Sequence, residues 1–179
     1  MEFKEETISS KRIFKGRIVG LREDTVKLPD GMVAKREIVE HPGAVTVVAL
    51  TEKNEIVLVK QYRKPAEDVL LELPAGLAKK GEKGVDAAKR ELEEETGFVA
   101  KNIRKVMEGY SSPGYSTEVI KFYLATDMTL SEQKGDDDER IEVKLLKVED
   151  AGKLIKSGEI RDNKTIIGIN LAMNIKEYL

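Results

Sequence analysis

The chain has 179 residues, a formal net charge of −2 and no cysteine. A charge so near neutral supplies no basic field to gather nucleic acid or an anionic membrane surface. The lack of thiols excludes disulfides, thiolate catalysis and zinc–thiolate centres together. At 40% apolar residues the sequence can fill the core of one domain, and it shows no signal-peptide pattern and no bilayer-length apolar run, which reads as a cytoplasmic protein.

In chain order, residues 1–40 alternate apolar and polar, with Ile13, Phe14, Ile18, Val19 and Leu21 followed by Val26 and Leu28. A Pro29-Asp30-Gly31 turn comes next, then Met32, Val33 and Ile38. The pattern predicts two or three antiparallel strands around a hairpin. After His41-Pro42-Gly43, the continuous apolar run 44–50 predicts a strand buried on both faces. A turn at 51–54 then leads to 55–62, read as its partner strand, and 70–73 is a short strand ending at Pro74. A helix is expected over about 85–96, with Val85, Ala88 and Leu92 as its apolar stripe. Strands around 106–110, 119–125 and 141–147 follow, the last two separated by an acidic loop at 131–140. Helices at 148–157 and about 163–179 close the chain.

The stretch 76–98 reads GLAKKGEKGVDAAKRELEEETGF. On a helix, Glu91, Glu94 and Glu95 share one face at i, i+3 and i+4. They also sit in the last turn before a Gly97 C-cap, where the macrodipole favours Lys or Arg. A turn that breaks two local rules at once points to function, and the simplest reading is a divalent cation.

All nine specified positions of the Nudix box, G-x5-E-x7-R-E-U-x-E-E-x-G-U, are present as Gly76, Glu82, Arg90, Glu91, Leu92, Glu94, Glu95, Gly97 and Phe98. The chain therefore resembles the Nudix hydrolases. Pro113, sixteen residues after Gly97 in SSPGYSTE, is similar to a proline signature of the ADP-ribose pyrophosphatase subgroup. So are the segments HPGAV (41–45), VKQYR (59–63), LELPAG (71–76) and DDDERIEV (136–143). The resemblance implies a Nudix α/β/α sandwich with a mixed β-sheet over residues 41–179. It also implies a small N-terminal antiparallel β segment, residues 1–40, exchanged between the subunits of a homodimer.

The implied reaction is Mg²⁺-dependent hydrolysis of ADP-ribose to AMP and ribose 5-phosphate, with Mn²⁺ able to substitute. Another nucleoside diphosphate sugar such as GDP-mannose, or a non-catalytic nucleotide-sensing domain, are the alternatives. Mg²⁺ prefers oxygen ligands and keeps some of its waters, so a few carboxylates and the substrate phosphates suffice. Glu91 and Glu95 are the expected ligands, completed by the Ala75 carbonyl, with Glu94 as a third ligand or a bridge to a second ion. Arg90 is expected to hold a box glutamate through charge-assisted hydrogen bonds. Glu82 either orients Arg90 and receives the box loop or is an ordinary first-turn acid. Gly76 and Gly97 read as conformational permissives for a loop and a C-cap. By resemblance the general base is Glu139, with Glu94 as rival and Glu142 as a third candidate. Arg63 is placed to meet phosphate or to pair with Glu72. Arg36 resembles the arginine that reaches a partner's nucleotide, and Pro113 and Gly114 would shape the wall near the substrate.

Overall fold

A computed structural model describes residues 3–131 and 140–175. The chain divides into two compact units, Met1–Gly43 with Tyr110–Val119, and Ala44–Gly109 with Ile120–Leu179.

The first unit is built on β1 (Glu6–Lys15), β2 (Gly20–Lys27) and β3 (Val33–Glu40), an antiparallel sheet in that order. The β2–β3 hairpin turns where Leu28 N–H donates to Met32 O at 2.8 Å. Gly31 supplies the left-handed residue at φ 90°, which suits a residue without Cβ. All ten residues of β1 are exposed. Ile8 and Ile13 fall at its two register shifts, where the ladder with β2 skips a residue. The segment 110–119 joins this unit through Val39, whose N–H donates to Tyr115 O at 2.7 Å and whose carbonyl accepts from Thr117 N–H at 3.0 Å.

The second unit comprises β4 (Ala44–Ala49), β5 (Glu55–Arg63), β6 (Asp68–Glu72), β7 (Ala75–Gly76), α1 (Gly84–Thr96), β8 (Phe98–Tyr110), β9 (Val119–Leu130), β10 (Ile141–Lys147), α2 (Val148–Ser157) and α3 (Asn163–Met173). One sheet runs β7-β4-β9-β8 and is mixed, since β4 is parallel to β9 and antiparallel to β7. The other, β10-β5-β6, is antiparallel. Strand alternation sorts the core into two layers. Val45, Val47, Ala49 and Val57 pack with Ala87, Ala88 and Leu92 of α1. Val48, Leu50, Ile56 and Leu58 pack with Val148 and Ala151 of α2 and Ile169 and Ala172 of α3. The sheets thus lie between α1 and the α2–α3 pair, an α/β/α sandwich, and strands buried on both faces are apolar at successive positions.

Two sequence expectations are corrected. The strands at 44–50 and 55–62 are not ladder partners: beyond the single Leu50–Ile56 bridge they enter different sheets. The reason is that β4 takes β9 and β7 as neighbours while β5 takes β10 and β6, so neither has a free edge for the other. The last helix ends at Met173, where Asn174 leaves helical geometry and its side-chain amide donates to Asn170 O at 2.9 Å; residues 176–179 of the expected helix lie outside the described residues.

Candidate active site

Helix α1 stops because Gly97 takes φ 72° and its N–H donates to Glu93 O. No basic residue occupies its last turn, so nothing on that turn offsets the carboxylates gathered at the dipole's negative end. Their counter-charge comes from Arg90 within the helix. Its Nη1 donates to Glu91 Oε1 at 2.7 Å and to Glu94 Oε2 at 2.6 Å. Its Nε and Nη2 each reach Glu82 at 3.0 Å, and Nη2 also donates to Leu77 O at 2.9 Å. These bonds, those to Glu82 first, raise the already high pKa of Arg90 further. The same bonds, helped by the Lys79 N–H donating to Glu82 Oε2 at 2.7 Å, hold the Glu82 carboxyl down at about 2.

Glu95, only 5% exposed, accepts from the Ala75 N–H at 3.1 Å, which ties the end of α1 to β7. Gly76, the next residue of β7, is marked by a close approach rather than by backbone freedom. Its φ lies outside the left-handed region, and the Glu91 carboxylate packs where its Cβ would stand. The loop reading of Gly76 is corrected accordingly: the residue lies in β7, and the Glu91 carboxylate stands where its Cβ would be.

Glu72, at the end of β6 and 1% exposed, has both oxygens engaged. Arg63, at the end of β5, donates Nε to Oε1 and Nη2 to Oε2, each at 2.8 Å, and Lys164 of α3 donates to Oε2 at 2.5 Å. Burial acts to raise the Glu72 pKa, but the two cations outweigh it and hold the carboxyl below its usual value. Arg63 is raised chiefly by the same hydrogen bonds, and Glu95 and Asp162 add to it through their fields, which places all five groups in one neighbourhood.

Lys164, Asp162 and Thr165 were not singled out in the sequence. The one local signal is an Asp two residues before a Lys and three before a Thr at a helix start. Asp162 caps α3, accepting from Thr165 N–H at 3.0 Å and its hydroxyl at 2.6 Å. Gln61 was also missed; it shares the face of β5 that carries Arg63, and its buried Oε1 has no hydrogen-bond partner among the described residues.

The other expected residues are placed as follows. Arg36 and the pair Pro113 and Gly114 belong to the first unit. Arg36 is held there by Glu5 through Nε at 3.0 Å and Nη2 at 2.6 Å. Glu142 is exposed on β10 and paired with Lys144, which lowers its pKa. Glu139 lies outside the described residues.

Among the described residues, no three acidic or imidazole side chains stand close enough to hold a cation as they are arranged. Glu91 and Glu94 are turned to Arg90, and Glu95 to the Ala75 N–H. The set nevertheless fits a hard divalent cation. It is all oxygen, it lies on one face of one turn, and a single nitrogen already reaches both the Glu91 and Glu94 carboxylates.

The chain is similar to known proteins along most of its length. Residues 40–167 match the family pattern described as NUDIX domain, and residues 5–39 match the one described as nucleoside diphosphate sugar hydrolase N-terminal domain. An ADP-ribose pyrophosphatase of Bacillus subtilis (strain 168) is 45% identical over 98% of this chain and 95% of its own length. A methanol dehydrogenase activator of Bacillus methanolicus is 44% identical over 93% and 91%. A GDP-mannose pyrophosphatase of Escherichia coli (strain K12) is 36% identical over 76% of each chain. A solved structure described as an ADP compounds hydrolase shares the fold at a TM-score of 0.86, with 20% identity over 97% of this chain and 95% of that one. The chain belongs to the Nudix hydrolase family. Hydrolases of this family generally need a divalent metal, and no helix among the described residues is long and apolar enough to cross a membrane.

Proposed function

We propose that this protein hydrolyses the pyrophosphate bond of ADP-ribose, giving AMP and ribose 5-phosphate, with Mg²⁺ as its cofactor and Mn²⁺ able to replace it. The observation that carries the reading is the packed turn of α1, where Arg90 gathers Glu91 and Glu94 beside Glu95, with Glu91 seated against Gly76. The full-length likeness to the B. subtilis ADP-ribose pyrophosphatase supports the choice of substrate. The reading places the enzyme in the cytoplasm, where nucleoside diphosphate compounds are made and used.

In this reading Glu91, Glu95 and the Ala75 carbonyl would hold the ion, and Glu94 would serve as a third ligand or for a second ion. When bound, the ion supplies charge neutralisation on the phosphates and acidifies a coordinated water. The protein's own groups do the rest. Arg90 keeps Glu91 and Glu94 aimed at one point, and Glu82 fixes Arg90 from the other side. Arg63, balanced by Glu72, offers a guanidinium to the pyrophosphate. A carboxylate accepts the proton of the attacking water as its oxygen bonds to phosphorus and the bridging P–O bond breaks. Glu139 is assigned this role, with Glu94 as rival. The Lys144 partner lowers the pKa of Glu142 and so weakens it as a base. Full turnover by a Glu139→Gln protein would remove Glu139 from the assignment. Arg36, Pro113 and Gly114 are assigned to the nucleotide side, with Arg36 serving a second copy in a homodimer.

GDP-mannose is the second reading, favoured by the E. coli relative. A nucleotide-sensing role without cleavage is disfavoured because every box carboxylate is present. One assay decides among the three: release of AMP or GMP from a panel of nucleoside diphosphate sugars, with and without Mg²⁺. AMP from ADP-ribose only when Mg²⁺ is present is the expected result, and no nucleotide release from any member overturns the enzymatic reading.

A further inference from the structure

The sequence left Arg63 with two possible partners, phosphate or Glu72, and the structure shows it on Glu72. That carboxylate cannot easily be left alone, because a buried charge stripped of its partner is strongly destabilising. If Glu72 had only Arg63, any movement of Arg63 towards an anionic substrate would strand it. Glu72 has a second cation, however: Lys164 donates to the same Oε2 that Arg63 Nη2 engages.

The two cations differ in freedom. Lys164 has a side chain only 12% exposed and is fixed by Asp162 at 2.9 Å. Asp162 is in turn fixed as the cap of α3, and Thr165 accepts the Leu73 N–H at 2.7 Å next to Glu72 itself. Arg63 has a side chain 38% exposed, stands at the last position of β5, and spends Nε and Nη2 on Glu72 while Nη1 is not used there. Its guanidinium also lies in the field of Glu95, at the box helix. Arg63 is therefore the partner built to move, and Lys164 the one built to stay.

We propose that Lys164 is a positioning residue that acts as the resident counter-ion of Glu72, so that Arg63 can leave this carboxylate for the pyrophosphate of the substrate. The proposal rests on the pyrophosphate reading above. It explains why a buried acid should carry two cations, and why the second comes from a helix 92 positions further along the chain. It requires no group that the chain does not contain.

The test is a double-mutant cycle read by calorimetric binding of ADP without metal and by KM and kcat with Mg²⁺. With Lys164→Met, Arg63 becomes the sole counter-ion of Glu72, and ADP affinity is expected to fall about tenfold, with KM rising alike and kcat little changed. Arg63→Met should weaken binding at least as much. The double variant should be no weaker than Arg63→Met alone, because Lys164 acts only through Arg63. Lys164→Arg should restore most of the affinity. Additive losses in the double variant, or a Lys164→Met protein that binds ADP like the wild type, overturn the proposal. Should Lys164→Met fail to fold, Glu72→Gln supplies the same answer. With the acid neutralised Arg63 is already released, so Glu72→Gln with Lys164→Met should bind ADP as tightly as Glu72→Gln, and weaker binding overturns the idea. Wild-type protein that neither binds ADP nor, with Mg²⁺ present, releases nucleotide from any nucleoside diphosphate sugar defeats the pyrophosphate reading, and this proposal with it.

Discussion

A methyl group at position 76 would overlap the carboxylate of Glu91, so Gly76→Ala must push that side chain off β7. Outer contacts that aim a ligand are commonly worth about 10–100-fold in metal affinity. Gly76→Ala is expected to bind Mn²⁺ at least about tenfold more weakly than wild type, and titration with the ion checks this. Glu82 offers a different lever. Its carboxyl is held at about 2, below its usual 4.5, by Arg90 first and the Lys79 N–H second. A depressed pKa contributes stability that is fully present above 4.5 and disappears as pH falls through about 2. Glu82→Gln should therefore melt below wild type near neutral pH, and the gap should close as pH is lowered from 4.5 towards 2. Melting curves across that range would contradict this if the two proteins kept a constant difference. A third residue, Gln61, carries a buried Oε1 without a hydrogen-bond partner among the described residues, and such an atom costs about 1–3 kcal/mol when nothing satisfies it. Gln61→Met is expected to raise the melting temperature of the metal-free protein.

At the scale of elements, a hydroxyl of α3 reaches the β6–β7 connection beside the Lys164 bond to Glu72. Thr165 Oγ1 donates to Asp162 Oδ2 and accepts from the Leu73 N–H, with the residue fully buried. Thr165→Val keeps the shape and deletes the bridge, leaving a buried N–H unsatisfied, and is expected to cost about 1–3 kcal/mol in urea unfolding. No loss of stability would mean that the bridge does not hold the junction. This junction also shows why the site was only partly legible in the sequence. The box glutamates could be read because helical periodicity puts i, i+3 and i+4 on one face whatever the rest of the chain does. Lys164 could not, because its partner Glu72 is 92 positions away and nothing local announces the pair. The strands show the same division. The apolar run at 44–50 disclosed burial on both faces, but its ladder partner is β9, more than 70 positions on, and the short turn at 51–54 favoured the wrong neighbour. Local chemistry was readable at these positions, whereas pairing across the chain was not.

At the scale of the whole molecule, the question is what covers β1. It is an edge strand of ten residues, all exposed, and an edge of that length invites pairing with another chain unless it is protected. Its apolar side chains Ile8, Ile13 and Phe14 are each more than half exposed, and so are Met32 and Val33 at the hairpin that begins β3. An open edge carrying such side chains suits pairing with a partner. In the homodimer proposed above, a second copy would cover this edge, and Arg36, on the same sheet, would reach that copy's nucleotide. Sedimentation is expected to return a particle of about twice 20.0 kDa. Ile13 stands at a register shift, outside the regular ladder with β2, so Ile13→Glu should place a charge on the exposed surface without breaking that pairing. The variant is expected to sediment as a monomer with its circular dichroism unchanged, and its turnover should fall together with that of an Arg36→Ala dimer. A monomeric Ile13→Glu protein with full activity would show that each chain completes its site alone, and Arg36 would lose its assigned role.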